Sequence, residues 1–252
     1  MKTLLIKEFR ENWRSFRYPA LLLVLLFFAL ADPPMLKYMN DFLAYFAEIE
    51  IAMPDPSPQD ALATFLGDAS QIGILVLIFI SMGSIAREKE NGVAGWILSK
   101  PVSRWEYFTA KAVSLYAIII AAVASSSAIA YLYTWSLLGR VDLVDALWAT
   151  ISFTVFALLY GTITFALSAV VKSPMQAGGL TVLIFFLSGI LNLLVSETGI
   201  RDFYPNTLLS EMALLACGQS TPGDAAIPLA VTLGLSAAIL LLAGLRFQKM
   251  EL

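Results

Sequence analysis

The sequence predicts an all-α polytopic membrane protein with six transmembrane helices, an N-terminal amphipathic interface helix and helical outer loops. Of its 252 residues, 59% are hydrophobic and 14% are charged, against roughly 45–50% and about 25% in an average soluble domain. The apolar residues form six runs, most of them near the roughly 20 residues that cross a bilayer. The basic residues fall almost entirely on one side of these runs, as expected for membrane-spanning helices.

The composition also excludes several classes of function. The chain has no histidine, which argues against zinc hydrolases and Ser-His membrane proteases. A single cysteine, Cys217, excludes an internal disulfide. The net charge of -3 gives no basic field for nucleic acid. We therefore expect no catalytic, cofactor-binding or metal-binding residue in this chain.

The six spans form one transmembrane domain that covers residues 1–252. They are predicted at residues 18–31, 69–86, 112–138, 146–171, 177–195 and 225–245. The first run is the weakest, because its 14 residues would rise only about 21 Å and could form a re-entrant or tilted piece. No charged side chain lies well inside any predicted span, so the sequence offers no evident group for ion coupling.

The basic residues decide the topology. With both termini in the cytoplasm, the inner segments hold 13 of the 16 lysines and arginines. The outer segments then hold only Lys37, Arg140 and Arg201, together with 13 of the 19 acidic residues. Removing the first span would place the basic N-terminus outside, so the positive-inside rule favours six spans.

Residues 1–17 predict a helix that lies in the cytoplasmic interface. Apolar residues, Phe9 and Trp13 among them, recur at helical spacing opposite basic residues such as Arg10 and Arg14. A basic anchor that merely sets the orientation of the chain is an equally good interpretation.

The two long outer loops, residues 32–68 and 196–224, are expected to contain helices. Ser57 followed by proline and Asp60 has the pattern of a helix start, with the helix running to about Leu66. Apolar residues between positions 36 and 46 indicate another helix, and Asn206 is placed to cap one that runs to about Cys217. The loops could form a cap or docking surface, or simple structured connections.

Residues 87–111 carry the most specific signal in the chain. The segment has charged ends, an apolar middle and a proline break before it re-enters the membrane. Such an element has a face to offer another protein, although a loop with interfacial tryptophan anchors would share these features.

In this segment the chain resembles the permease subunits of ABC transporters of the ABC-2 type. The family pattern is a Glu-rich turn, then Gly-Thr-x-Glu, then Leu-Leu-Ser-x-Pro-[Val/Ile]-Ser-Arg and a Gly-Lys pair. Glu88, Glu90, Gly92, residues 98–104 and Lys111 match it in order and spacing. The chain departs from this pattern at three positions, with Val93 in place of Thr, Gly95 in place of Glu, and Ala110 in place of Gly.

The resemblance implies that residues 87–111 are a coupling segment seated in a cleft of a cytoplasmic ABC ATPase, with two permeases, as copies or paralogues, and two ATPases. It implies polar docking through Glu88 and Glu90, and a re-entry angle fixed by Pro101 and Arg104. The apolar seat would be formed by Trp96, Ile97 and Leu98, with Gly92 in the preceding turn. The chain has no G-x-x-x-x-G-K-[ST] motif, so ATP and Mg would bind the partner and this chain would not itself be an enzyme.

The expected function is therefore export of an amphipathic, lipid-like or peptide cargo across the plasma (inner) membrane of a prokaryote. The alternative is a scaffold that transmits ATPase-driven force to an extracytoplasmic protein, an interpretation that the long acidic first loop supports. A membrane-embedded enzyme is disfavoured, because such enzymes need converging catalytic side chains that this sequence lacks.

The topology yields a first prediction. Cys217, the sole thiol, is expected on the outer side, so a membrane-impermeant maleimide should label it in intact cells. Labelling that requires the cytoplasmic face to be opened would contradict six spans with both termini inside.

Overall fold

The computed structural model describes residues 2–46, 56–195 and 198–250, and in these ranges the chain is helical with no strand. Residues 47–55 of the first predicted outer loop, and 196 and 197 of the last, lie outside the described residues. The helices are α1 (Lys2–Arg14), α2 (Arg17–Lys37), α3 (Met39–Phe46), α4 (Pro58–Asp68), α5 (Ile74–Ser81), α6 (Ala86–Glu90), α7 (Val93–Leu98), α8 (Arg104–Leu137), α9 (Leu143–Val170), α10 (Pro174–Val195), α11 (Thr207–Ala216) and α12 (Ala226–Gln248).

Six segments of the described chain are long and apolar enough to cross a membrane, in agreement with the predicted number. They are Arg17–Lys37, Pro58–Glu90, Arg104–Leu137, Leu143–Val170, Pro174–Val195 and Ala226–Gln248. The helix α9 is the centre of the bundle and packs against α5, α8, α10, α11 and α12. Of the most apolar stretch of α9, 72% of the residues are buried, but only 11% of the corresponding residues in α10 are. The helix α10 therefore lies at the periphery of the bundle.

The first span is longer than the sequence indicated. It is predicted at residues 18–31, but α2 continues through Asp32, Pro33 and Pro34 to Lys37. Each proline removes one backbone donor, and a membrane helix tolerates this loss where neighbouring helices pack around it. Here α2 lies against α8 and α4.

The second span also begins earlier than predicted. Ser57 caps α4 as expected, because its side chain accepts from the backbone of Asp60 while the Asp60 carboxylate accepts from the backbone of Ser57. The helix does not stop near Leu66, however, but passes through a π-helical turn at Ala69–Gly73 directly into α5. Because the backbone hydrogen bonds continue through the π-helical turn, no loop separates α4 from α5.

The third span starts at Arg104, eight residues before its predicted start. Ser103 and Glu106 form a capping box there, so polar residues that the sequence left in the coupling segment are the first turns of α8. At this end the buried rings of Phe108, Phe165 and Phe247 pack together from α8, α9 and α12.

The helix after Asn206 forms at the predicted place and ends at Ala216, but Asn206 does not cap it. Its side-chain amide donates instead to Ser188 Oγ on α10 at 3.2 Å. A tertiary hydrogen bond therefore replaces the expected local one. Cys217 follows α11 and is half-buried; burial, assisted by the charge of Asp60, raises the pKa of its thiol.

The bundle has two distinct ends. At one, Lys37 donates to the carbonyl of Leu137 at 2.9 Å, which joins the end of α2 to the end of α8. At the other, Arg104 donates to the carbonyl of Gln248 at 2.9 Å, which joins the start of α8 to the end of α12. The helices α1, α6 and α7 share this second end, here called the α1 end.

One carboxyl group occupies an unexpected position inside a span. Because α2 extends to Lys37, Asp32 lies within it and is only 5% exposed. Its Oδ2 atom has no hydrogen-bond partner in the described part of the chain. The expectation that no charged side chain lies well inside a span is therefore wrong at this position, where ionisation would be costly.

This burial leads to a second prediction. Asp32→Asn keeps the shape of the side chain but removes the ionisable group, so we expect the free energy of unfolding in detergent to be unchanged or raised by up to about 2 kcal/mol. Asp60→Ala, which removes half of the capping box, should lower it by about 1 kcal/mol. Thermal unfolding of both variants in one detergent measures the difference. A large loss of stability in Asp32→Asn would contradict the inference that the buried carboxyl group is a cost to the fold.

Candidate functional site

The predicted coupling segment forms two short helices at the α1 end. The helices α6 and α7 meet at Gly92, whose φ of +70° is a left-handed conformation that glycine adopts without strain. This turn reverses the chain just after Glu90 and lets α7 lie beside the bundle instead of continuing α6.

Polar contacts fasten α6 to the end of α9. Ser168 Oγ accepts from the backbone amides of Ile85 and Ala86 at 3.0 and 2.9 Å. Lys89 Nζ donates to the carbonyls of Ala169 and Val171, both at 2.7 Å. These last carbonyls of a helix have no partner within it, so the lysine satisfies them and complements the helix dipole.

The helix α7 turns one side inward and the other outward. Ala94 and Ile97 are buried against the bundle, whereas Val93 is 39% and Trp96 66% exposed. The ammonium group of Lys100 lies 4.0 Å from the centre of the Trp96 ring, which holds the indole in place by a cation–π contact.

The eight predicted site residues therefore fall into separate groups. Glu90, Gly92, Trp96 and Pro101 are exposed, Leu98 is half-buried, and Glu88 and Ile97 are buried. Arg104 is partly buried and donates to the carbonyls of Gln248 and Met250. The segment thus presents some of the predicted residues outward and uses the others to attach itself to the bundle.

Glu88 is the centre of an ionic cluster that we call the lysine–glutamate network: Lys7, Glu8, Glu11, Glu88 and Lys111. Lys111 Nζ lies 2.8 Å from Glu88 Oε1 and 3.0 Å from Glu8 Oε2. The Lys111 side chain is only 2% exposed and that of Glu8 4%. The hydroxyl of Tyr107 donates a short hydrogen bond to Glu88 Oε2.

Lys7 completes this network from the solvent side. Its Nζ contacts Glu8 and Glu11 at 2.9 Å and Glu88 at 3.2 Å. Burial alone would lower the pKa of Lys7, but the carboxylates of Glu8, Glu11 and Glu88 outweigh this effect and raise it. Lys7 therefore stays charged at any physiological pH.

Three carboxylates converge here, on Glu8, Glu11 and Glu88, with oxygen atoms within 4.8 Å of one another. This spacing could suit a metal ion, but the ammonium groups of Lys7 and Lys111 already occupy the space between the carboxylates and neutralise two of the three charges. The cluster joins three elements, α1, α6 and α8.

Sequence reasoning missed the role of α1 in this site. Asn12 Nδ2 donates to Ser114 Oγ at 2.8 Å, and Arg17 donates to Asn12 Oδ1 at 3.3 Å. The signal was present, because Glu8 and Asn12 are four residues apart and therefore share one helix face. The basic residues around Glu8 and Asn12 instead indicate a membrane anchor when the sequence is considered alone.

Comparisons with known proteins agree with the geometry. A family model described as ABC-2 family transporter protein matches residues 2–252. An uncharacterized transmembrane protein of Bacillus subtilis (strain 168), YxlG, is 29% identical over 137 residues, which are 53% of this chain and 53% of that protein. The match therefore spans about half the length of this curated relative.

The network gives a third prediction. Lys111→Met leaves Glu8 and Glu88 buried beside a single remaining lysine, so it should lower the free energy of unfolding by about 3–5 kcal/mol. The triple variant Lys111→Met, Glu8→Gln, Glu88→Gln should recover much of this loss, because no buried charge is then left unbalanced. Thermal unfolding in detergent reports both effects.

Lys172→Met is the matched control, since Lys172 is exposed and its loss should leave stability within about 0.5 kcal/mol. If Lys111→Met behaved like this control, the network would contribute nothing to the fold.

Proposed function

This chain belongs to the ABC-2 family of transporter proteins and is a membrane permease, and we propose that it couples ATP hydrolysis by a separate cytoplasmic ATPase to export of an amphipathic, lipid-like or peptide cargo. In this proposal it works in the plasma (inner) membrane of a prokaryote, with both termini in the cytoplasm. ATP and Mg bind the partner, and this chain performs no chemistry.

The observation that carries the proposal is the exposed face of α7. Trp96 and Val93 project from the bundle at the α1 end, beside the exposed Glu90 and Lys100. An exposed aromatic side chain rimmed by charges is typical of a protein interface, and tryptophan is enriched among the residues that dominate binding energy.

The contacts within the chain guide which of these residues we propose for docking. Glu88 is paired with Lys111 inside the chain, so Glu90 is the carboxylate that we propose for polar docking. Ile97 lies in the bundle's own core, so the proposed apolar seat consists of Trp96 and Val93 with the edge of Leu98. Pro101 and Arg104 keep their proposed role in the return to the membrane.

The proposed mechanism is rigid-body transmission. ATP draws two ATPase subunits together, and each carries a seated α7 with it. Because α6 is bonded to α9, and Arg104 bonds α8 to α12, displacement of the coupling segment tilts the membrane helices. We propose that a second copy or a paralogue packs against α10, most of whose side chains this chain leaves uncovered.

The cargo proposal is supported by the apolar character of the six spans. A pathway between such helices suits a molecule with a substantial apolar part better than a small bare ion. Asp32 departs from this apolar character, since it is a carboxyl group buried within a span.

A fourth prediction tests the docking face and the function together. Trp96→Asp places a charge at the centre of the proposed interface, where it loses contact with water. The free energy of binding to the cognate ATPase should therefore weaken by about 2 kcal/mol or more, which lowers the affinity roughly 30-fold. Binding is measured by titrating the purified ATPase onto the permease in nanodiscs, and coupling by ATP-driven uptake of a labelled amphipathic peptide or lipid into inverted vesicles.

Trp135→Asp is the control, because Trp135 is an exposed tryptophan near the opposite end of α8. It should bind the ATPase as the native chain does. Retained affinity in Trp96→Asp would show that α7 is an ordinary loop helix and would remove the basis for the proposed coupling.

A further inference from the structure

The helix α1 buries two polar side chains against the bundle and leaves two aromatic side chains largely exposed. Glu8 and Asn12 are buried, 3% and 7% exposed, and their side chains are held by Lys111 and Ser114. As a result, Phe9 is 44% and Trp13 63% exposed. These two aromatic side chains cannot turn further inward without breaking the lysine–glutamate network, so their exposed parts are open to a molecule from outside the chain.

These two side chains border a groove between α1, the start of α2 and α8, which we call the α1–α8 groove. Its walls are aromatic, formed by Phe9, Trp13 and Tyr18, and the rings of Trp13 and Tyr18 stack with centroids 5.4 Å apart. The α8 side is lined by Ala117 and Ala121. The groove has a volume of ≈ 250 Å³ and a mostly apolar lining, which suits a single alkyl chain.

Two arginines lie on the exposed side of α1, outside the lining of the groove but on the helix that forms one of its walls. Arg10 and Arg14 are exposed, and neither guanidinium is within ion-pair distance of a carboxylate in the part of the chain that the structure describes. Arg10 is three residues before Trp13 and therefore neighbours it on the helix surface, and Arg14 lies one turn after Arg10. The first membrane span begins at Arg17, so these charges lie close to where the chain enters the bilayer.

We propose that the α1–α8 groove binds one anionic phospholipid, with an acyl chain between Trp13 and α8 and the phosphate at Arg10 and Arg14. A zwitterionic lipid offers the same chains but no net negative charge to balance two exposed guanidiniums. Arginine binds phosphate oxygens in a bidentate manner, and tryptophan favours the level of the headgroups. The site goes beyond the proposed transport function and does not depend on it.

Fluorescence quenching tests this site directly. The full chain is reconstituted in phosphatidylcholine vesicles that contain increasing fractions of brominated phosphatidylglycerol or brominated phosphatidylcholine. The part of the quenching that belongs to Trp13 is obtained by subtracting the signal of Trp13→Phe. We expect brominated phosphatidylglycerol to associate with the Trp13 site at least about fivefold more strongly than brominated phosphatidylcholine.

The double variant Arg10→Gln, Arg14→Gln should lose this preference while it remains folded, since both side chains are exposed and unpaired. Arg140→Gln, an exposed arginine near the opposite end of α8, is the control and should keep the preference. Equal quenching by both lipids in the native chain, or a preference that survives the double variant, would overturn the proposal. Reversal of the quenching by inorganic phosphate would also overturn it, because the site would then bind a soluble anion.

Discussion

The attraction between Lys111 and the carboxylates of Glu8 and Glu88 determines how the α1 end is built. These three groups come from α8, α1 and α6 and are almost completely withdrawn from water. Buried charges are costly unless each has a partner at short range. The three helices must therefore meet at this point with little freedom of position, which makes the network a constraint on geometry more than a source of stability.

The orientation of α1 follows from this constraint. A helix with both apolar and polar faces would ordinarily turn its apolar face to the core. Here the polar face is needed to balance Lys111, so Phe9 and Trp13 are left outward. The sharp turn at Phe16, whose φ of 59° is left-handed and unfavourable for a residue other than glycine, lets the chain enter α2 directly from this position.

Much of the fold was predictable because it depends on local or one-dimensional properties. The number of spans follows from apolar length, and Ser57 caps α4 because the capping box lies within four residues. The bounds of α2 and α8 were not predictable, because proline and charged residues normally signal an end and only tertiary packing shows that the helix continues. Asn206 illustrates the same limit, since its amide bonds to α10 instead of its own helix.

The sequence singles out a segment for the candidate site but does not show how that segment is attached to the bundle. The pattern around Glu88 and Trp96 identified the segment, yet motif matching treats both residues alike, whereas the structure buries Glu88 and exposes Trp96. The difference depends on Glu8, which lies 80 positions earlier in the chain than Glu88. No local pattern encodes that pairing, because it is decided by which charged groups the packed helices bring together.

The same contacts determine where movement in this protein can occur. The segment α6–α7 is bonded to α9 through Lys89 and is followed directly by α8, which Arg104 bonds to α12. In the proposed mechanism, a force applied at Trp96 would reach the ends of several helices together, since packed and bonded elements move as units. Any displacement of one helix relative to another would then occur away from these attachments. The π-helical turn at Ala69–Gly73 lies in the same span as α6 but beyond them. Because a π turn holds one more residue per hydrogen-bonded turn than the α-helix on either side, a change in pitch there would tilt α5 relative to α4 while both helices keep their own backbone bonds.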